Sequence, residues 1–151
     1  MAHKSISGSI VSINTGSKKG EKKETAERGL LVPGSGLKGD AHCGTERQVS
    51  LLAVESIDKI RRKGLEVGYG DFAENITTRG INLCDLPLGT TLQLGREAMV
   101  RITQIGKICH DRCWIFATVG DCVMPREGVF AEVLQGGEIA VGDEVTILGE
   151  L

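Results

Sequence analysis

Residues 7–14 alternate apolar with small polar positions and run into Thr15-Gly16, the period-two pattern of a strand with one face buried. A buried strand over 47–52 leads into a helix over 54–63. There Val54, Ile57 and Ile60 recur at helical spacing, acids come first, bases come last, and Gly64 stops the run. This helix is expected to cover an open end of the fold, with Arg61, Arg62 and Lys63 as a solvated face. Residues 90–95 and 98–105 read as two strands of a hairpin joined at Arg96-Glu97. Residues 128–134 fit a short helix or a strand, Gly136-Gly137 a turn, and 144–148 a closing strand.

Three polar stretches interrupt this pattern. Residues 17–28 are dominated by Lys and Glu and read as a solvated loop or charged hairpin. Residues 34–44 form a glycine-spaced loop, either a turn packed by its own hydrogen bonds or a nest of N–H groups for an anion, with His42 and Cys43 as conceivable metal ligands. Residues 71–80 surround a short strand, where Asn75 and Arg79 are candidates for a planar or phosphate-bearing ligand. Structural turn contacts explain those two residues nearly as well.

Composition narrows the function classes. The 151 residues suit one domain spanning 1–151, and 21 glycines with little helical periodicity favour an all-β barrel or sandwich. A net charge of −2 with one Trp, one Tyr and three Phe argues against nucleic acid as a partner. The absence of a long apolar run argues against a membrane span. Five cysteines without an export signal point to the reducing cytoplasm, where clustered thiols serve metals or chemistry.

Three of those cysteines, Cys109, Cys113 and Cys122, fall within fourteen residues and are interleaved with Lys107, His110 and Arg112. Cationic neighbours lower a thiol's pKa, so this is a setting for thiolate chemistry at the mouth of a strand. Cys84, in an apolar setting, reads as a small buried hydrophobe. A structural zinc module using Cys109, His110, Cys113 and Cys122 is an alternative, although the spacing departs from the common ligand pairs. A barrel without catalysis that binds a partner protein or a small reactive electrophile is another.

The stretches Gly39-Asp40-Ala41-His42, Arg47-Gln48-Val49-Ser50-Leu51-Leu52, Gly70-Asp71-Phe72-Ala73-Glu74-Asn75-Ile76, Leu88-Gly89-Thr90, Ile105-Gly106-Lys107-Ile108-Cys109-His110 and Gly136-Gly137 through Val141-Gly142-Asp143 follow one another in an order that resembles the MOSC domain. That domain is named after the C-terminal part of molybdenum-cofactor sulfurases, and the likeness is to its small free-standing bacterial members. The resemblance implies a mainly β, MOSC-like barrel with a few short helices covering its ends. It implies a pocket cysteine that receives sulfur as a persulfide or ligates molybdenum, with molybdenum cofactor (molybdopterin) as the ligand.

Cys113, followed by Trp114-Ile115, looks most like the family cysteine, with Cys109 close behind. Cys122 would then be an auxiliary thiol, Lys107, His110 and Arg112 the activators, and His42, Arg47, Asn75 and Arg79 the residues lining the pocket or holding the pterin phosphate. The chain is too short to include the pyridoxal-phosphate desulfurase domain of the full sulfurases, so no pyridoxal phosphate is expected on it. A separate sulfur donor such as a cysteine desulfurase and a molybdoenzyme acceptor are the implied partners. Some family members are linked to detoxifying hydroxylated nitrogen compounds, which adds an accessory redox role by analogy.

Overall fold

The computed structural model describes residues 7–16, 23–41, 43–45, 47–106 and 127–150. Eleven strands are found among them: β1 (Ser7–Thr15), β2 (Glu24–Ala26), β3 (Arg28–Val32), β4 (Gly36–Leu37), β5 (Val49–Ala53), β6 (Ile76–Arg79), β7 (Thr90–Leu94), β8 (Ala98–Ile105), β9 (Val129–Gln135), β10 (Gly137–Ala140) and β11 (Glu144–Glu150). One helix, α1 (Val54–Arg61), and a 3-10 turn at Leu83–Asp85 join them. The fold is mainly β, as the alternation and the glycines imply.

Seven strands close into a barrel in the order β1-β6-β5-β9-β8-β7-β11, with β11 returning to β1 through Ser7 opposite Thr146. Strand β2 extends β1 outside the ring, and β10, β3 and β4 form a separate small sheet. The hairpin of β7 and β8 pairs Leu94 with Ala98 and Leu92 with Val100 around Gly95, whose φ of 68° takes the left-handed region.

Alternation divides the apolar side chains into two sets. Val49, Leu51, Ile76, Leu92, Leu94, Val100, Ile102, Val129, Ala131 and Val133 fill the main core inside the barrel. Leu52 and Phe130, on the opposite faces of β5 and β9, join Ile57, Ile60, Val67 and Phe72 in a second cluster. Residues 128–134 are therefore strand, because Val129, Ala131 and Val133 face one way and Phe130 the other.

Strand β5 is buried along its whole length, which gives the continuous apolar run that a strand covered on both faces requires. It runs parallel to β6, and a parallel pair needs a long crossover. Here α1 and residues 62–75 supply it. The helix lays Val54, Ile57 and Ile60 inward, carries Glu55 in its first turn and Lys59 and Arg61 in its last, and is followed by Gly64 at φ 95°.

Lys23 corrects the reading of 17–28 as solvated. Residues 24–26 form the exposed strand β2, but the Lys23 ammonium is buried 2.7 Å from a carboxylate oxygen of Asp40. The expectation for Cys84 is also corrected: its thiol is half-buried, 3.7 Å from the Asn82 side-chain oxygen.

Candidate functional site at one end of the barrel

Strand register decides which candidate residues can meet. Leu51 and Ile105 both lie opposite Val129, and Ala53 lies opposite Thr78. The ends of β5, β6 and β8 and the start of β9 thus share one end of the barrel. Gly106 N–H donates to Gly128 C=O at 2.6 Å there, so the chain leaves β8 and returns to β9 across one backbone hydrogen bond. Segment 107–126 runs between those two points. Cys109, Cys113, Cys122, Lys107, His110 and Arg112 belong to it and lie outside the described residues, as does His42.

Beside that junction a cleft of about 390 Å3 opens between α1 and the chain after β6, lined by Glu55, Ser56, Lys59, Gly80, Asn82 and Glu127 among others. Ser56 Oγ donates to Glu127 Oε1 at 2.7 Å, and Lys59 Nζ lies 2.8 and 2.9 Å from the two Glu127 oxygens. On the facing wall Gly80 N–H donates to Glu55 Oε2 at 2.9 Å. Burial raises the pKa of the Cys84 thiol, and the Asp85 and Glu127 carboxylates add to the shift, with Lys59 opposing them. Cys84 is held protonated and is a poor nucleophile at neutral pH.

The described candidates separate. Arg79 ends β6 at the end from which segment 107–126 departs, and it is exposed. Arg47 precedes β5 at the other end of that strand, with its guanidinium carbon 5.1 Å from the centre of the Phe130 ring on the outer wall. Asn75 precedes β6 and is fully buried. Its Oδ1 accepts from Ser50 N–H at 2.9 Å and Ser50 Oγ at 3.2 Å, and its Nδ2 donates to Asn14 C=O at 3.2 Å. Among the described residues no three His, Cys, Asp or Glu side chains converge as a metal site. The four residues of the alternative zinc module all lie in 107–126.

Sequence reasoning passed over the residues around Asn75. Glu74 is fully buried; its Oε2 accepts from Gly70 N–H at 3.1 Å and Thr77 Oγ1 at 2.6 Å, while its Oε1 has no partner. Ala73, just before it, holds a φ of 63°, a left-handed conformation that costs a non-glycine residue about 1–2 kcal/mol. Burial raises the Glu74 pKa against the opposing pull of its hydrogen bonds.

An acid whose folded pKa exceeds its unfolded one binds protons more tightly in the native state. Its contribution to stability is therefore complete below the ordinary value of 4.5 and is lost as pH rises through the folded value. Glu74→Gln should remove that component. The difference in urea midpoint between variant and wild type should shift in favour of the variant as pH climbs from 4, and a difference that stays flat would count against a neutral Glu74.

The barrel has solved counterparts. YuaD protein from Bacillus subtilis superposes with a TM-score of 0.80 at 16% identity, covering 95% of this chain and 97% of that one. YiiM from Geobacillus stearothermophilus gives 0.71 at 23% identity over 93% and 75% of the two chains. YiiM from Escherichia coli gives 0.70 at 17% identity over 96% and 71%. At these identities the likeness is one of fold. A search of curated proteins returns no match. A family model, the MOSC domain, matches residues 38–146, well over half of the sequence. The chain belongs to the MOSC domain family, which makes it a molybdenum-cofactor-related domain.

Proposed function

We propose that this chain, as a single domain over 1–151, carries sulfur or ligates molybdenum through a thiolate of segment 107–126. Cys113 is the first choice and Cys109 the second. The observation that supports this reading is the closed base of the segment: Gly106 N–H donates to Gly128 C=O at one barrel end, and the sequence between these two residues carries Cys109, Cys113 and Cys122 with Lys107, His110 and Arg112 among them. A thiolate there is a soft ligand suited to sulfur or molybdenum.

In the sulfur-carrying mode the Cys113 thiolate attacks the outer sulfur of a donor persulfide. The donor's S–S bond breaks, the donor thiolate leaves, and Cys113 holds the transferred sulfur. Lys107, His110 and Arg112 would keep the attacking thiol ionised, with Cys122 as an auxiliary thiol. A cysteine desulfurase is the fitting donor and a molybdoenzyme the fitting acceptor.

For the cofactor, the described donor set fits in part. Arg79, exposed at that barrel end, offers a guanidinium fork to the pterin phosphate. Arg47 already lies on Phe130, and the Asn75 amide bonds to the protein. When bound, molybdenum cofactor would supply the redox-active metal, with the segment thiolate as its ligand.

The test is mass spectrometry after incubation with a cysteine desulfurase and cysteine. The expected result is a gain of one sulfur atom that cyanide removes, mapped to Cys113 and lost in Cys113→Ser. A gain that persists in that variant and disappears in Cys109→Ser moves the role to Cys109. A wild type that takes up neither labile sulfur nor molybdenum, and that purifies with one zinc per chain, would overturn the reading in favour of the zinc module.

A further inference from the structure

Residues 65–74 form a strap over the outer apolar cluster. Leu65, Val67, Tyr69 and Phe72 pack there with Leu52, Ile57, Ile60 and Phe130, and Arg61 Nε donates to Val67 C=O at 3.0 Å. Both ends of the strap are anchored: Gly64, at φ 95°, follows α1, and Asn75 is bonded to Asn14 and Ser50. Its last turn closes on Glu74. Ala73 N–H donates to Gly70 C=O at 3.0 Å, Gly70 N–H donates to Glu74 Oε2 at 3.1 Å, and Thr77 Oγ1 donates to the same oxygen from β6 at 2.6 Å.

That turn has no slack. Ala73 sits in the left-handed region, and a Cβ at Gly70 would lie 2.5 Å from the Lys23 carbonyl oxygen. The described elements around the carboxyl bring it no charge. From β1 come Asn14 and, bonded to it, Ser12; β5 brings Ser50 and β6 Thr77. In the strap, Asp71 turns to Gly68 N–H at 2.8 Å, Glu66 lines an open cleft with Arg61, and the Arg61 guanidinium covers the Tyr69 ring. Lys23 donates its N–H to Gly70 C=O at 2.9 Å but holds its ammonium on Asp40.

We propose that Glu74 is a protonation latch: as a neutral acid it seals the strap 65–74 onto the barrel wall, and its ionisation releases the strap while the barrel stays closed. Ionisation in place would leave charge on a buried carboxyl whose Oε1 has no partner, and opening gives that charge water. Burial holds the closed-state pKa above the ordinary 4.5, to which the open form returns. The opening equilibrium therefore rises about tenfold per pH unit between the two values and levels off above the upper one. Release uncovers Leu52 and Phe130 on the outer wall.

The experiment is hydrogen exchange of the full-length chain from pH 5 to 8, read by mass spectrometry on peptides covering 65–74 and 90–105 and corrected for the intrinsic pH dependence of exchange. Protection of 65–74 should fall about tenfold per pH unit and then level off, while 90–105 keeps its protection. In Glu74→Gln the strap should stay at the protection that wild type shows at pH 5. The carboxyl carbon resonance of Glu74, followed by NMR in wild type, should titrate above 4.5, with its midpoint where the loss of protection levels off. That measurement stands even where the glutamine variant does not fold.

Strap protection that ignores pH overturns the proposal, as does a fall that persists in Glu74→Gln. Parallel loss in 65–74 and 90–105 would make the event an unfolding of the whole barrel and sink the latch. A Glu74 carboxyl that titrates at the ordinary value removes its trigger.

Discussion

Asp40→Ala should destabilise the protein by about 3–5 kcal/mol, the range for removing one partner of a buried ion pair. The Lys23 ammonium and the Asp40 carboxylate are both fully shielded from solvent and 2.7 Å apart. The same Asp40 oxygen accepts the Gly16 N–H at 3.0 Å, and the backbone N–H groups of Lys23 and Ala41 donate to Gly70 and Gly16. The pair therefore bolts the loop after β4 to the end of β1 and the start of β2. Without the carboxylate, the Lys23 ammonium stays buried and loses this countercharge, and a loss of this size approaches half the stability of an ordinary domain.

Asp40→Asn keeps an acceptor for Gly16 but not the charge, and should fall between wild type and the alanine variant. Lys23→Met/Asp40→Leu removes both charges at similar volume and should recover most of the loss, because the desolvation cost of the pair disappears with it. Urea unfolding of the three variants measures this. A loss below about 1 kcal/mol in Asp40→Ala would mean that the ammonium escapes to water in the variant.

That pair also marks where sequence reading stops. The strands were legible wherever one face is buried, because the alternation in β1 and in the β7–β8 hairpin is local, and so was α1 from the spacing of Val54, Ile57 and Ile60. Lys23 sits in a run of lysines and glutamates that charge patterning assigns to solvent, and its partner lies seventeen residues on in another loop. No local periodicity encodes such a pairing. The strand at 129–135 was ambiguous for a related reason: a short apolar run fits both periods until a neighbour selects one face. Closure of the barrel through β1 and β11 joins the two ends of the chain and has no short-range signature.

Within the candidate site, the reading of Cys109 and Cys113 as thiolates rests on adjacent residues alone, Lys107, His110 and Arg112. The seat of Glu127 on Ser56 and Lys59 was not legible in the sequence, since about seventy residues separate the partners. Glycine-punctuated polar stretches such as 71–80 carry the least decidable signal. A side chain that closes a turn and one that meets a ligand use the same residue types there, and burial decides between them.

Asn75 is the case in which burial decides. As a ligand-holding residue it would tolerate alanine without loss of stability; as a joint of the fold it would not. Its Oδ1 takes the place of a backbone acceptor for Ser50 N–H, just ahead of where β6 begins to pair with β5 at Ile76 opposite Leu51. Its backbone N–H donates to Ser50 C=O at 3.1 Å, its C=O accepts from Asn14 N–H at 2.6 Å, and its Nδ2 returns to Asn14 C=O. One residue thus stitches β1 to β5 at the point where β6 enters between them. Asn75→Ala leaves the Ser50 N–H and the Asn14 C=O without these partners inside the wall. At about 1–3 kcal/mol for each unsatisfied buried group, the expected loss is about 3 kcal/mol, with Asn75→Ser recovering little because its hydroxyl is too short to span both. Asn75→Asp keeps the acceptor but loses the donor and buries a carboxylate, so that variant should unfold more readily as pH rises above the ordinary range for aspartate. Urea midpoints at pH 5 and pH 8 for the three variants separate the two roles: a wild-type midpoint in Asn75→Ala would remove Asn75 from the frame of the barrel and return it to the list of residues that wait for a ligand.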